Sequence, residues 1–376
     1  MQVGIITFHF ALNYGAILQA YALSECIKSL GHDAFLVDYR PDYHVKRFQW
    51  NWTRCGLHLT NLTHPLLHKR FGEFSSKHLR LSSRSYKTLE ELTASPPEAD
   101  AYICGSDQIW NPVLTDMDPA YFLTFAPQGT RRIAYAGSFG KPELRTEDLK
   151  RIRPYLQAIE HLSVREASAV RIVNDACGKQ AEHVLDPTLL IDNYDSVETH
   201  SPVKNRYVLV VILQNNSLLR QAADFVSRSL QLPKVVINNY SARIWQLSGK
   251  RVFPGPGGYL NLFRNAAYVV TNSFHGMIFS LVFNKPFIVT SLSGNVSEGN
   301  IRTTGLLRFT KLSEGNIRIT GLLKSTELSG YFLEIFSESS IRKILASAID
   351  LDWAPVRMRL HKLRQDSLRF LQESLS

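Results

Sequence analysis

The chain has 376 residues, enough for two or three domains with substantial cores, and its 44% hydrophobic and 20% charged content excludes a disordered or fibrous chain. Its formal net charge of +10 favours anionic partners, either phosphorylated small molecules or an anionic membrane surface. The basic residues are scattered, without an aromatic-interleaved platform or a recognisable DNA- or RNA-binding module, so no nucleic-acid partner is expected.

Met1 leads directly into the apolar Val3-Gly4-Ile5-Ile6, which reads as a first strand rather than a signal peptide. No apolar run reaches the roughly 18 residues of a membrane helix. The unpatterned Cys26, Cys55, Cys104 and Cys177 form neither a metal spacing nor a disulfide framework. The expectation is a cytoplasmic chain, with a peripheral position at the inner membrane face as its furthest extension.

A strand over Gln2–Thr7, a helix over Gly15–Leu30 and a strand over Ala34–Asp38 give a βαβ start and a parallel sheet. Residues 41–99 form a basic, aromatic insertion expected to be helical. It carries His44, His58, His64, His68 and His78 with no carboxylate or cysteine placed to complete a metal site, so no metal is expected. Ala101–Cys104 reads as a buried strand that stops at Gly105 and presents Ser106, Asp107 and Gln108 on the following loop. Further strands are expected over Arg132–Ser138, which ends on small residues, and over Leu162–Glu166, with a helix over Glu147–Ile159 between them.

The stretch from Asp192 to Asn205 reads as a linker, and the α/β alternation then restarts. Strands are expected over Tyr207–Leu213, Lys234–Asn238, Ala267–Thr271 and Pro286–Thr290. Helices are expected over Leu218–Leu230, around Tyr259–Asn265, and from the Asn272-Ser273-Phe274-His275-Gly276 turn through Val282. The fold class is therefore α/β, with two Rossmann-like domains facing a cleft: residues 1–195, residues 205–352, and a basic amphipathic C-terminal helix over 353–376.

Ser297–Leu312 recurs as Ser313–Leu328 with twelve of sixteen positions identical, a tandem duplication too short for a solenoid. One copy is expected to pack and the other to be extruded. The C-terminal helix has apolar Val356, Leu360, Leu363, Leu371 and Leu375 near one face and an excess of Arg and Lys. Packing against its own protein and contact with an anionic leaflet are both open readings.

Three loops follow strands and could carry chemistry. Asn13-Tyr14-Gly15 opens a helix, where a close-approach glycine and the N-terminus favour an anion; a plain N-cap at Asn13 fits equally. Asn272, Ser273 and His275 put an imidazole at another helix start, and His titrates near neutrality. Arg165, beside Glu166, is a fork suited to carboxylate or phosphate, unless an ion pair satisfies it. Asp107 is as readily a turn cap as a catalyst. The phosphate-loop, nucleophile-elbow, paired-cysteine and dinucleotide fingerprints are absent, which leaves a two-lobed α/β enzyme for an anionic ligand.

The segments Gly4–His9 with Asn13–Leu23, Gly105-Ser106-Asp107-Gln108-Ile109-Trp110-Asn111-Pro112, Ala134–Gly140, Ser163-Val164-Arg165-Glu166, Leu185-Asp186-Pro187-Thr188 and Thr271–Gly276 through Phe279-Ser280 resemble, in order, the polysaccharide pyruvyl transferase family. The resemblance implies a fold similar to GT-B glycosyltransferases. It implies transfer of a pyruvyl group from phosphoenolpyruvate to a sugar of a bacterial surface-polysaccharide precursor, free or lipid-linked. It makes Arg165, His275 and Asp107 the expected catalytic residues, with Asn13, Tyr14, Gly15, Ser106, Gln108, Ser138, Asn272, Ser273 and Arg318 binding substrate. Phosphoenolpyruvate enters as co-substrate and no other cofactor is implied. Ser273 stands where family members can carry an Arg, and Arg318 of the second repeat copy fits the family pattern better than Arg302. A GT-B-type glycosyltransferase using a nucleotide sugar and a non-catalytic anionic-glycan or nucleic-acid binding protein are the alternatives.

Overall fold

The computed structural model describes residues 1–43, 60–200, 203, 205–238, 248–292 and 316–376. The chain divides into two compact units, one of Met1–Arg54, Ser75–Asp192 and His361–Ser376, the other of Cys55–Phe74 and Asn193–Leu360.

Unit one is built on seven parallel strands: β1 (Gln2–Ile6), β2 (Asp33–Tyr39), β3 (Leu81–Tyr86), β4 (Ala101–Cys104), β5 (Arg131–Gly137), β6 (His161–Val164) and β7 (Glu182–His183). They lie in the order β3-β2-β1-β4-β5-β6-β7. The helices in sequence with them are α1 (Tyr14–Ser29), α2 (Thr60–His78), which enters from the other unit, α3 (Leu89–Ala94), α4 (Thr146–Gln157) and α5 (Ala167–Cys177). The strand order runs outward from β1 through β2 and β3 on one side and from β4 through β5, β6 and β7 on the other, so the carboxyl ends of β1 and β4 form the switch point where open α/β sheets bind ligands. β4 is apolar and buried throughout, and β1 is so after Gln2, as strands covered on both faces must be.

The expected insertion over residues 41–99 is not wholly helical, because part of it is the edge strand β3. Leu81-Ser82-Ser83-Arg84-Ser85-Tyr86 has no apolar run, but Ser82 Oγ accepts the Asp38 amide at 2.9 Å and donates to Arg84 O at 2.7 Å. Local hydroxyl hydrogen bonds and pairing with β2 make this segment a strand.

Below the β4 loop, Trp110 is fully buried, stacked on Phe122 at 5.3 Å between centroids, and donates from Nε1 to Tyr121 O at 2.9 Å. Gly137, at the end of β5, must be glycine, because a Cβ there would lie 2.6 Å from the Trp110 ring.

Unit two repeats the plan with β8 (Val208–Ile212), β9 (Lys234–Asn238), β10 (Lys250–Arg251), β11 (Tyr268–Thr271), β12 (Phe287–Thr290) and β13 (Phe332–Leu333), all parallel in the order β10-β9-β8-β11-β12-β13. Its helices are α6 (Ser217–Leu230), α7 (Pro256–Asn265), α8 (Phe274–Val282), α9 (Ile317–Ser325) and α10 (Glu338–Ile349). Its switch point lies between β8 and β11.

The second repeat copy supplies α9, whose Ile319 and Leu323 are buried; the first copy, and with it the expectation of an extruded element, lies outside the described residues. The C-terminal helix α11 (Trp353–Leu375) packs against its own protein through buried Val356, Leu360, Phe370, Leu371 and Leu375. Among the described residues no helix is long and apolar enough to cross a membrane.

Candidate functional site

In unit one the polar loops after β1, β4, β5 and β6 meet at one end of the sheet. Arg165, one residue past β6, is buried, and its guanidinium Nη1 donates to Asp186 Oδ2 at 2.6 Å and to Ser106 Oγ at 3.3 Å. Its Nη2 reaches Asp107 Oδ1 at 3.4 Å. Burial opposes a buried charge, but Asp186, Asp107 and Glu166 around it hold the Arg165 guanidinium above its ordinary range.

Asp186 is held from below. Its Oδ1 accepts from Thr188 N at 3.0 Å and Thr188 Oγ1 at 2.6 Å, and Ser106 Oγ donates to its Oδ2 at 3.2 Å. The Leu185 amide donates to Ser367 Oγ at 3.0 Å and Arg364 Nε to Leu189 O at 2.7 Å, so the C-terminal half of α11 fixes the Asp186 segment. This gives Arg364, a member of the basic tail, a structural partner.

Asp107 has φ +81, a left-handed backbone that a non-glycine residue adopts only under local constraint. A bridge to Gly137 and the Gln108 amide donating to its Oδ1 at 2.8 Å supply the constraint. Its side chain is 13% exposed against 1% for Arg165, so Asp107 is the member of this ion pair that a ligand can reach.

Behind β1, Thr7 Oγ1 donates to Ser106 O at 2.8 Å and receives Gln19 Nε2 at 2.9 Å. His9 bridges Asp38 Oδ1, through Nε2 at 2.8 Å, and Thr7 O, through Nδ1 at 3.2 Å. Burial would raise Asp38, but the hydrogen bonds and charges of His9 and Arg40 outweigh it and hold the carboxyl at about 2. Asn13 caps α1, its Oδ1 accepting from Gly15 N at 2.9 Å and Ala16 N at 3.2 Å; Tyr14 and Gly15 are buried in that first turn.

Glu166 is the carboxylate whose importance the sequence did not signal. It is 3% exposed, and its Oε1 accepts from Ser138 Oγ at 2.9 Å and from the Phe139 and Gly140 amides, each at 3.1 Å. Ser138 is thus engaged with Glu166. Successive amides aimed at one oxygen order the loop after β5.

In unit two the corresponding corner holds His275, in the first turn of α8 and buried, with Ser273 as N-cap accepting the Gly276 amide at 3.3 Å. Asn272 ties two loops together: Oδ1 accepts from Leu213 N at 2.9 Å and Gln214 N at 3.3 Å, and Nδ2 donates to Gln214 O at 2.6 Å. Asn316 fastens the start of α9 to the loop after β12, donating from Nδ2 to Ser291 Oγ at 3.0 Å. Arg318 then lies over the Phe274 ring at 5.3 Å, which brings it to the same corner as His275.

Within unit one, therefore, Ser106, Asp107 and Arg165 are in one network, with Gln108 beside Asp107 and Ser138 in the adjoining Glu166 cluster. Within unit two, Asn272, Ser273, His275 and Arg318 share a corner. Asp186, Glu166, Thr7 and Asn316 complete these networks; the signal that could have found the first three is a polar residue placed one or two positions past an apolar run, whereas Asn316 follows Ser313-Glu314-Gly315 and carries no such signal.

Among solved structures the chain is similar to an O-GlcNAc transferase mutant from Thermobaculum terrenum, with 9% identity and a TM-score of 0.50, covering 100% of this chain and 66% of that one. It is also similar to UDP-GlcNAc 2-epimerases from Methanocaldococcus jannaschii (13% identity, TM-score 0.48, 94% of each chain) and Neisseria meningitidis (9% identity, TM-score 0.49, 100% and 99%). No curated protein matches it. The two parallel-sheet α/β units agree with the GT-B-like architecture expected of the sequence. The model of one family, polysaccharide pyruvyl transferase, matches residues 13–294, which include the Asp107, Ser138, Arg165 and Asp186 loops of unit one and the His275 turn of unit two, and the chain belongs to that family.

Proposed function

We propose that this transferase moves a pyruvyl group from phosphoenolpyruvate to two hydroxyls of a sugar in a surface-polysaccharide precursor, releasing phosphate and forming a ketal. One observation carries the reading: within the family match, a partly exposed Asp107 carboxylate stands at the switch point of unit one, fixed by a buried guanidinium.

The reaction needs a proton on the C3 methylene of phosphoenolpyruvate, which makes C2 electrophilic. One sugar hydroxyl adds to C2 and loses its proton. The second hydroxyl then attacks as the C2–O bond to phosphate breaks, and its proton leaves with the phosphate. Asp107 is proposed as the base or orienting group for the acceptor hydroxyls. Arg165, buried and engaged by Asp186, Ser106 and Asp107, is proposed to fix Asp107 and to add positive charge beneath the site without touching the donor. His275, at the N-terminus of α8, is proposed as the acid or phosphate ligand, with Arg318 supplying further positive charge at that corner. The net charge of +10 supports a peripheral position at the cytoplasmic membrane face, where a lipid-linked acceptor would be met.

The test is phosphate release from phosphoenolpyruvate measured with and without candidate glycan precursors. Release that depends on the glycan is expected. Turnover of a nucleotide sugar without consumption of phosphoenolpyruvate would overturn the reading in favour of a glycosyltransferase.

A further inference from the structure

The orientation of the Gln108 side-chain amide is fixed by a chain of hydrogen bonds that starts at an unambiguous donor. The Val113 backbone N–H donates to Asn111 Oδ1 at 2.9 Å, so the other end of the Asn111 amide is its NH2. That Nδ2 lies 2.7 Å from the Gln108 side chain, and two NH2 groups cannot bond each other, so Gln108 must turn its oxygen to Asn111. Gly140 seals the arrangement: a Cβ there would lie 2.0 Å from Gln108 Oε1 and 3.0 Å from Asn111 Nδ2. Asn111 is 2% exposed and Gly140 is buried, whereas Gln108 is only partly buried.

Gln108 Nε2 is left over. Among the described residues it has no protein acceptor, and it is not one of the side-chain atoms sealed from solvent. The loop thus presents a carboxylate at Asp107 and, one residue later, an amide donor.

We infer that Gln108 is a specificity-determining residue that donates from Nε2 to an anionic oxygen of phosphoenolpyruvate, and that Asn111 is a positioning residue that sets which end of the Gln108 amide is offered. The inference rests on the proposed activity. A fixed amide donor bonds an oxyanion more strongly than a neutral hydroxyl, which favours the carboxylate or phosphate of phosphoenolpyruvate as its acceptor.

The test is calorimetric binding of phosphoenolpyruvate to the full chain without a glycan. Gln108→Glu still offers an oxygen to Asn111 but replaces the free NH2 with a carboxylate oxygen, and affinity falls by about 10- to 100-fold. Gln108→Leu falls by about 10-fold. Asn111→Ser keeps an oxygen for the Val113 N–H and adds no charge, but releases the Gln108 amide, and affinity falls by about 3- to 10-fold. A purely structural role for Asn111 would lower affinity equally in either background; here Asn111→Ser has no further effect once Gln108 is Leu. Wild-type affinity in Gln108→Glu, or multiplying losses in the double variant, would overturn the inference while the activity stands. A weaker glycan KM with unchanged phosphoenolpyruvate affinity would move the donor to the acceptor substrate and overturn it equally. If the wild-type chain itself does not bind phosphoenolpyruvate, the proposed activity and this inference both fall.

Discussion

Arg165 Nη1 and Asp186 Oδ2 lie 2.6 Å apart, the guanidinium side chain 1% exposed and the carboxylate side chain 0%. A pair this deep contributes through what happens when half of it is removed. Asp186→Ala leaves Arg165 buried with its closest countercharge gone and is expected to destabilise unit one by about 3–5 kcal/mol. Asp186→Asn keeps an acceptor for Thr188 but turns its NH2 towards Arg165, so it recovers only part of that loss. Urea unfolding of the two variants checks the order.

Glu166→Ala removes the shared acceptor of Ser138, Phe139 and Gly140. Three buried donors lose their partner, a loss of about 3 kcal/mol or more if water cannot replace it. Glu166→Gln retains Oε1 and is expected to keep most of that stability. Equal unfolding midpoints for both variants would show that the cradle does not order the loop.

Asp38 gives a pH dependence whose sign follows from its depressed pKa. The folded carboxyl sits at about 2 against an ordinary 3.8, because the hydrogen bonds and charges of His9 and Arg40 outweigh the opposing effect of burial. Its contribution is therefore present above about pH 4 and lost as pH falls towards about 2, and it amounts to about 2 kcal/mol. Asp38→Asn should flatten the acid limb of stability measured from about pH 5 to about pH 2 by that amount. A limb as steep as that of the wild type would assign the acid sensitivity to other carboxylates.

Two glycines are required by contact. Gly140→Ala places a methyl group against Gln108 Oε1 at φ +62, and Gly137→Ala drives one into the Trp110 ring. Each is expected to cost about 1–3 kcal/mol by overpacking and strain. Gly140→Ala should in addition impair phosphoenolpyruvate affinity, because the Gln108–Asn111 pair must shift. Circular dichroism melts alongside calorimetry separate the two effects.

The parts of the fold that could be read from the sequence are those set by local patterning. Ala101–Cys104, Val208–Ile212 and Tyr268–Thr271 lie in apolar runs that end at Gly105, Gln214 and Asn272, and each is a central strand. β3 and β7 were less legible because their residues are polar or exposed, and pairing with β2 and β6 makes them strands. At the site, Ser106, Asp107 and Arg165 stand out by residue type, but the partner of Arg165 lies 21 residues on and that of Ser106 80 residues on. Nothing in local sequence says which carboxylate a buried guanidinium will choose. Asn272 shows the converse, a conspicuous loop amide whose hydrogen bonds are used to join two loops of its own unit. In the duplicated segment, Ile319 is 1% exposed in the core where the first copy carries Thr303, so the second copy holds the better core residue for the α9 position.

The central step of the proposed reaction is Asp107 acting on a sugar hydroxyl. The most direct measurement is mass spectrometry of a glycan precursor incubated with phosphoenolpyruvate and either the wild-type chain or Asp107→Asn, with phosphate counted in parallel. One pyruvyl ketal per phosphate released is expected from the wild type. At least about a 100-fold slower reaction is expected from the variant, at an unfolding midpoint close to that of the wild type. Undiminished ketal formation by Asp107→Asn, or phosphate release with no pyruvyl group on the glycan, would contradict that step.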